Sequence, residues 1–230
     1  MSQIAIITAR GGSKRIPGKN IKEFCGRPIL SYSIEAALES RLFDEIMVST
    51  DDGRIAEVAK KYGAKVPFYR SAATSDDYAT TADVLREVLD AYEKRGRTFD
   101  WMCCIYPTAP FVTGKRLQEA FQLLKDKQAD ALQTVVRFSY PPQRGLKVVD
   151  GFLQYIRPEF VRTRSQDLEP LYHDAGQFYM WRVSSFAEGI VPRMIPLVLE
   201  ETEVQDIDDL ADWSLAEIKY QWIKKHVKEE

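Results

Sequence analysis

Short runs of apolar residues alternate along the chain with longer amphipathic stretches. The short runs are rich in β-branched residues and predict buried strands at 4–8, 45–50, 65–69, 101–105, 131–136, 176–181 and 194–199. Apolar residues spaced three or four apart predict helices that begin near Pro28 and that cover 54–62, 81–94, 114–127 and 210–225. Strand, helix and strand follow one another within the first fifty residues, which predicts a βαβ unit with a right-handed crossover.

This alternation predicts the fold class. We expect an α/β protein with a Rossmann-like, mostly parallel sheet that is flanked by helices. The 230 residues are enough for one sizeable domain, and we predict a single domain over 1–230.

The pattern changes between residues 139 and 172. Apolar residues on both sides of Asp150 and Gly151 predict a β-hairpin over 146–156, followed by an aromatic and charged loop. A peripheral hairpin seldom buries so much apolar surface within its own chain. We therefore expect the inserted subregion over 139–172 to contact a second subunit. The alternative is that it forms a lid over the chain's own pocket.

Composition and charge exclude several classes of function. The formal net charge of −2 gives no support for a nucleic-acid-binding or membrane-surface protein. The first apolar run is too short for a secretory signal or a transmembrane span, so we expect a cytoplasmic protein. Cys25, Cys103 and Cys104 show no CxxC spacing, and we expect three reduced structural thiols.

The first strand leads into a glycine-rich, basic loop. Gly11 and Gly12 let the backbone turn sharply and approach a ligand closely. Four cations lie within ten positions of one another: Arg10, Lys14, Arg15 and Lys19. This combination predicts a site for a polyanion such as a nucleoside triphosphate, against the alternative of a solvated basic turn. The spacing matches neither GxxxxGK[ST] nor GxGxxG, so the loop is of a third kind.

Two further polar segments follow predicted strands. The segment 70–81 is rich in serine and threonine at a strand end, which suits a nucleoside, although Thr80 or Thr81 would also cap the next helix. Asp206 and Asp208 share one face of an extended segment, which suits Mg²⁺. The alternative is that Asp208 or Asp209 caps the helix over 210–225.

Together these segments resemble the acylneuraminate cytidylyltransferases, which activate nine-carbon acidic sugars. The resemblance runs from ARGGSKRIPGKN through SDDYATT and YPTAP to QDID, and covers nearly the whole chain. It implies a nucleotide-diphospho-sugar transferase type of fold, a cytidylyltransferase activity, and a homodimer in which the hairpin reaches the partner subunit.

The resemblance also implies roles for individual residues. The implied nucleotide contacts are Ala9, Arg10, Gly11, Gly12, Ser13, Asn20, Arg70, Ala79 and Thr81. The implied catalytic residues are Arg10, Lys19 and Asp208, and the implied Mg²⁺ ligands are Asp206 and Asp208. The implied sugar contacts are Tyr106, Arg164, Gln177 and Tyr179. Tyr106 stands where the family usually has glutamine.

The reaction that the resemblance implies is attack of the sugar's anomeric hydroxyl on the α-phosphorus of CTP, with release of pyrophosphate. The stretches YPTAPF, TRSQDLEP, YHDAGQFY and EVQDID favour pseudaminic acid as the sugar. The alternatives are N-acetylneuraminic acid, legionaminic acid, or a different sugar nucleotidyltransferase. A non-catalytic nucleotide-binding regulator would not need the late pair of carboxylates.

Overall fold

The computed structural model describes residues 1–187 and 193–226. Its strands in this part of the chain are β1 (Gln3–Thr8), β2 (Glu23–Phe24), β3 (Arg27–Pro28), β4 (Glu45–Ser49), β5 (Trp101–Ile105), β6 (Ala131–Arg137), β7 (Leu146–Val149), β8 (Phe152–Tyr155), β9 (Tyr172–Arg182) and β10 (Met194–Leu199). Its α-helices there are α1 (Leu30–Ser40), α2 (Gly53–Lys61), α3 (Thr81–Glu93), α4 (Gly114–Asp126), α5 (Val183–Ala187) and α6 (Leu210–His226).

One six-stranded sheet organises these elements, in the strand order β10-β6-β9-β5-β1-β4. The strand β1 pairs in parallel with β4 and β5, and β10 pairs in parallel with β6. The strand β9 is antiparallel to both of its neighbours. The sheet is mixed but mostly parallel, which confirms the predicted α/β class. The carboxyl ends of β1, β4 and β5 lie at one edge, where open α/β sheets bind ligands.

Successive residues of β1 point to opposite faces of the sheet, and residues 4–7 are buried on both faces. Ala5 and Ile7 pack in a core with apolar residues of α1, α2 and α4. Ile4 and Ile6 pack on the other face with Leu85 of α3. A strand with a core on each side reads as a continuous apolar run, which explains the run over 4–8.

The prediction of a strand over 65–69 is wrong. Only Lys65 pairs with β4, through one isolated bridge to Met47. Pro67 follows two positions later and has no N–H to donate, so the ladder cannot continue.

The predicted strand over 176–181 is longer than expected. The strand β9 spans Tyr172–Arg182, and its pairing with β6 shifts register between Gln133 and Val135. Gly176 lies in this irregular stretch with φ of 61°, a left-handed conformation that favours glycine.

The predicted hairpin is present as β7 and β8, which pair in antiparallel register. Asp150 and Gly151 both have positive φ (51° and 82°) at its turn, as a tight primed turn requires. Val148, Phe152 and Leu153 are exposed by 70%, 74% and 70%, so the hairpin buries little of its apolar surface within this chain.

Two further observations bear on the sequence expectations. No helix among residues 1–187 and 193–226 is long and apolar enough to cross a membrane. The three thiols form no disulfide in that part of the chain, and burial raises the pKa of Cys103 and Cys104.

Candidate active site

The glycine-rich loop follows β1, which lies one strand in from the β4 edge of the sheet, and hydrogen bonds hold both ends of the loop. Ala9 N donates to Ser49 O at 2.9 Å, and Asn20 Nδ2 donates to Arg10 O at 2.9 Å. Ile16 of this loop is buried in a core with Ile207 and Trp213, close to the start of α6. Apolar packing therefore holds the basic loop against the acidic segment, although almost 190 residues separate them.

Gly11 lies against the turn between β4 and α2. Its N–H donates to Asp51 Oδ1 at 2.8 Å, so this N–H is engaged by a carboxylate. A Cβ at Gly11 would lie 2.9 Å from Asp52 Cβ, which explains why no larger residue fits. A Cβ at Gly12 would meet nothing within 4 Å, so the backbone of Gly12 faces open space.

Two cations of the loop contact the segment between the sheet and α3. Arg10 Nη1 donates to Asp76 O and to Asp77 Oδ1, each at 2.9 Å. Lys14 forms an ion pair with the same Asp77 carboxylate. Hydrogen bonds from Lys14 and Arg10 lower the pKa of Asp77, so this carboxylate is ionised at neutral pH.

Arg70 is a buried cation beside the start of the loop. Its Nε donates to Ser49 Oγ at 3.1 Å and its Nη2 donates to Ser49 O at 2.8 Å. Ala9 N uses the same Ser49 carbonyl, so Arg70 lies next to the loop. Burial lowers the pKa of Arg70, and the negative charge of Asp51 partly compensates.

The structure distinguishes Thr80 from Thr81. Thr80 Oγ1 accepts from Asp83 N at 3.2 Å, and the Asp83 carboxylate accepts from Thr80 N at 3.0 Å, which is a capping box. Thr80 is therefore the N-cap of α3, and Thr81 is its first residue. Thr81 is not needed as the cap, so the nucleotide role that the sequence suggested for it stays compatible with the structure.

Asp206 and Asp208 lie beside the basic loop. Lys19 Nζ donates to Ile207 O at 2.6 Å, and Arg15 Nη2 contacts Asp208 Oδ1 at 2.5 Å. Ile207 is fully buried, as expected for the residue between two carboxylates that share the other face. Burial raises the pKa of Asp206, and the charge of Asp208 raises it further.

Asp209, and not Asp206 or Asp208, caps the helix α6. Asp209 Oδ1 accepts from Ala211 N at 2.8 Å and from Asp212 N at 3.0 Å at the start of α6. Asp212 Oδ2 accepts in turn from the backbone N–H of Asp208 at 2.9 Å. Among the described residues, the Asp208 carboxylate takes no part in capping, and its side-chain partner is the exposed Arg15.

The four candidate sugar residues lie in different environments. The rings of Tyr106 and Tyr179 are 5.5 Å apart, and Tyr179 Oη donates to Asp174 Oδ2 at 2.5 Å. Burial and the bond to Asp174 raise the pKa of Tyr179, so its phenol stays protonated. Gln177 is only 3% exposed, and its Nε2 donates to Glu203 O at 2.6 Å.

The structure therefore brings together two of these four side chains. The Gln177 amide is engaged in a backbone hydrogen bond, so this residue positions the segment before Asp206. Arg164 is exposed beside the short 3₁₀ turn Ser165–Asp167, and its guanidinium makes no hydrogen bond or ion pair with the described residues.

Sequence reasoning missed Asp51, Asp77 and Asp174 as members of the site. Asp51 lies in the turn after β4, where its neighbour Asp52 caps α2 by accepting from Arg54 N at 2.8 Å. Asp77 stands within the SDDYATT stretch, and its neighbour Asp76 shapes the turn through Ala79 N at 2.8 Å. The signal in the sequence was the presence of carboxylates within the polar segments that were predicted to lie near the basic loop.

A parallel sheet that presents a basic, glycine-rich loop beside a pair of carboxylates has the form of a nucleotide-dependent transferase. The profile described as Cytidylyltransferase matches residues 4–153. The chain belongs to this cytidylyltransferase family, and it is a CTP-dependent nucleotidyltransferase. The matched residues include the loop, the 70–81 segment and Tyr106.

Curated relatives extend this match beyond the profile. A pseudaminic acid cytidylyltransferase of Campylobacter jejuni is 41% identical over 224 residues, which cover 96% of this chain and 97% of that protein. A CMP-N,N'-diacetyllegionaminic acid synthase of Legionella pneumophila is 34% identical over 94% of this chain and 95% of that protein.

A solved structure supports the fold. A CMP:2-keto-3-deoxy-manno-octonic acid synthetase complexed with CTP superposes with a TM-score of 0.68 and 18% sequence identity. The superposition covers 98% of this chain and 100% of that chain. The predicted nucleotide-diphospho-sugar transferase type of fold is thereby confirmed.

Proposed function

We propose that the protein transfers CMP from CTP to the anomeric hydroxyl of pseudaminic acid and releases pyrophosphate. The observation that carries this proposal is the identity of 41% with the Campylobacter jejuni enzyme over 96% of the chain. N-Acetylneuraminic and legionaminic acids are the alternative sugars, because the relative from Legionella pneumophila is 34% identical.

The basic loop and its neighbours would bind the nucleotide. Gly12 offers open backbone for a phosphate, and Arg10, Lys14 and Lys19 would neutralise the negative charge that builds up on the phosphoryl oxygens. Arg70, Ala79 and Thr81 would border the pyrimidine and ribose, beside the Ala9 end of the loop. We place the reaction in the cytoplasm, where CTP is made.

Asp206 and Asp208 fit a divalent cation. Burial and the charge of Asp208 raise the pKa of Asp206, and a bound Mg²⁺ would favour the ionised form of Asp206. No group of three or more His, Cys, Asp or Glu side chains within 1–187 and 193–226 could hold a metal. A pair of carboxylates is enough for Mg²⁺, which takes its remaining ligands from water and phosphate. Such an ion would lower the pKa of the attacking hydroxyl and neutralise phosphate charge.

The aromatic pair of Tyr106 and Tyr179 would face the sugar. Pseudaminic acid carries an acetamido group and a methyl group at positions where N-acetylneuraminic acid carries hydroxyls. A phenol held by Asp174 offers a fixed polar atom, and the adjoining ring of Tyr106 offers apolar surface. Arg164 is exposed in the 139–172 subregion, and we propose it as a contact of the sugar carboxylate.

Turnover with different nucleotides tests the first half of this proposal. We expect pyrophosphate release from pseudaminic acid with CTP and at least about tenfold lower kcat/KM with ATP or GTP, because a pocket bounded by Ala79 and the buried Arg70 is too small for a purine. Omission of the sugar serves as the control for hydrolysis. Equal turnover with a purine nucleotide would contradict the assignment of the pocket.

We also propose a homodimer that forms through the 139–172 subregion. Val148 and Leu153 pair across the hairpin on one face and are both exposed by 70%. We expect the double variant Val148→Asp/Leu153→Asp to raise the dimer dissociation constant by a factor on the order of 10² or more, because two charges would lie in an apolar interface. Light scattering at micromolar concentration measures the change.

The control for this prediction is Gln154→Asp, which places one charge on the same strand but on the opposite face. We expect that variant to remain dimeric. The proposal fails if the unaltered protein is a fully active monomer at micromolar concentration, or if the double variant dimerises as tightly as the control.

A further inference from the structure

Among the described residues, Asp77 is the one carboxylate that contacts two cations of the basic loop. Its Oδ1 accepts from Arg10 Nη1 at 2.9 Å, and its carboxylate also pairs with Lys14. The turn that carries it is fixed, because Asp76 Oδ1 accepts from Tyr78 N at 2.9 Å and from Ala79 N at 2.8 Å. A rigid turn thus presents an anion to the loop.

A phosphate group needs the same donors. Arg10 and Lys14 bind an anionic oxygen through charge-assisted hydrogen bonds, and a carboxylate oxygen and a phosphate oxygen are alternative acceptors for them. The side chains of Arg10, Lys14 and Asp77 are exposed by 37%, 79% and 42%, so water reaches the contact and the carboxylate can be displaced.

We propose that the Asp77 carboxylate competes with phosphate groups for Arg10 and Lys14. This competition weakens the binding of the pyrophosphate product and of the CTP triphosphate. The inference rests on the proposed function in that it places the phosphates of CTP at this loop. It goes beyond that function because it assigns to Asp77 a role in product release.

The competition affects the two ligands differently. CTP is also held through its base and ribose, which in our proposal lie near Arg70 and Thr81. Once the α–β phosphate bond is broken, pyrophosphate keeps only its phosphate contacts. Return of the Asp77 carboxylate to Arg10 and Lys14 then removes much of what holds pyrophosphate, so its dissociation is accelerated.

The opposite role for Asp77 predicts the opposite sign. If Asp77 served to orient Arg10 and Lys14 for the phosphates, its removal would weaken the binding of pyrophosphate. If it acted only through its overall negative charge, any nearby carboxylate would have the same effect. The sign and the position dependence of the change separate these possibilities.

Isothermal titration of the full-length protein with pyrophosphate tests the proposal. We expect Asp77→Asn and Asp77→Ala to bind pyrophosphate about three- to tenfold more tightly, since exposed ion pairs contribute modestly. The product-inhibition constant of pyrophosphate should fall by the same factor. In a Lys14→Gln background the gain from Asp77→Asn should shrink, because one of the two contested cations is absent.

The matched control is Asp52→Asn. Asp52 lies beside Gly11 but forms its ion pair with Arg54, so its substitution removes a nearby charge without freeing a loop cation. We expect a change of at most about twofold. Unchanged or weaker pyrophosphate binding by both Asp77 variants would overturn the proposal, and so would an equal gain in Asp52→Asn.

The outcome is separable from that of the proposed function, because titration with pyrophosphate involves no sugar. Normal CTP-dependent turnover with no gain in the Asp77 variants would refute the competitor alone. Tighter pyrophosphate binding by those variants, in a protein that turns over none of the sugars, would refute the proposed reaction and uphold the competitor.

Discussion

Asp208→Asn and Asp206→Asn are each expected to lower kcat by a factor on the order of 10² or more, because the Lewis-acid and positioning contributions of a bound metal amount to several kcal/mol. Asparagine keeps the shape of the side chain and removes the negative charge that would hold Mg²⁺. Steady-state pyrophosphate release at millimolar Mg²⁺ measures the effect.

The same substitutions should hardly affect folding. The ion pair of Asp208 with Arg15 is exposed on both sides, so its loss costs little stability. The pKa of Asp206 is raised in the folded protein, so its ionised form costs stability at neutral pH and a neutral asparagine removes that cost. We expect the Tm of both variants to stay within about 3 °C of the original.

The adjoining Asp209 supplies the control. Asparagine is as good an N-cap as aspartate, so Asp209→Asn should keep both the start of α6 and the activity. Near-normal turnover in Asp206→Asn and Asp208→Asn, or an equal loss in Asp209→Asn, would refute the metal assignment.

Lys19→Gln is expected to lower kcat/KM by about 10²-fold, the size of effect seen when one preorganised group that stabilises transition-state charge is removed. The Lys19 ammonium lies against Ile207 O at 2.6 Å, between the loop and the carboxylates. Glutamine can still donate to that carbonyl, so the substitution removes the charge and spares the local contact. Steady-state kinetics with CTP as the varied substrate measures the loss.

Lys22→Gln is the matched control, because Lys22 directly follows the short 3₁₀ turn Lys19–Ile21, and its ammonium lies over the ring of Trp213. We expect its kcat/KM to change by less than about threefold. Lys19→Arg should recover part of the activity, since it restores the positive charge. A Lys19→Gln enzyme with unchanged kinetics would show that this cation does not contact the reacting phosphates.

The parallel βαβ unit and the mostly parallel sheet could be predicted, but the direction of one strand could not. Alternating strands and helices predicted the parallel pairs around β1, because each crossover helix leaves its own periodic signal. The apolar composition of β9 does not indicate whether the strand runs parallel or antiparallel to its neighbours. Its direction depends on the path of the 139–172 subregion that precedes it. The predicted strand over 65–69 does not form, although most of its residues are apolar, because Pro67 has no N–H to donate to the ladder.

The candidate site was predictable only where its residues are close in sequence or belong to a motif that resembles one of the acylneuraminate cytidylyltransferases. The loop from Ala9 to Asn20 is one continuous segment, so its cations were bound to lie together. The choice between Asp208 and Asp209 as the cap depended on side-chain geometry, which spacing alone does not determine. The contact between Asp77 and Lys14 joins segments 63 residues apart, and it depends on a turn shaped by Asp76.

Activation of pseudaminic acid by this cytidylyltransferase can be tested directly. The most direct test compares kcat/KM for pseudaminic acid with kcat/KM for N-acetylneuraminic acid, with CTP and Mg²⁺ at saturation and formation of the CMP-sugar as the readout. The proposed function predicts a value at least about tenfold higher for pseudaminic acid, because the apolar ring surface of Tyr106 suits the methyl group of that sugar and would desolvate a hydroxyl in its place. Equal or better use of N-acetylneuraminic acid would contradict it.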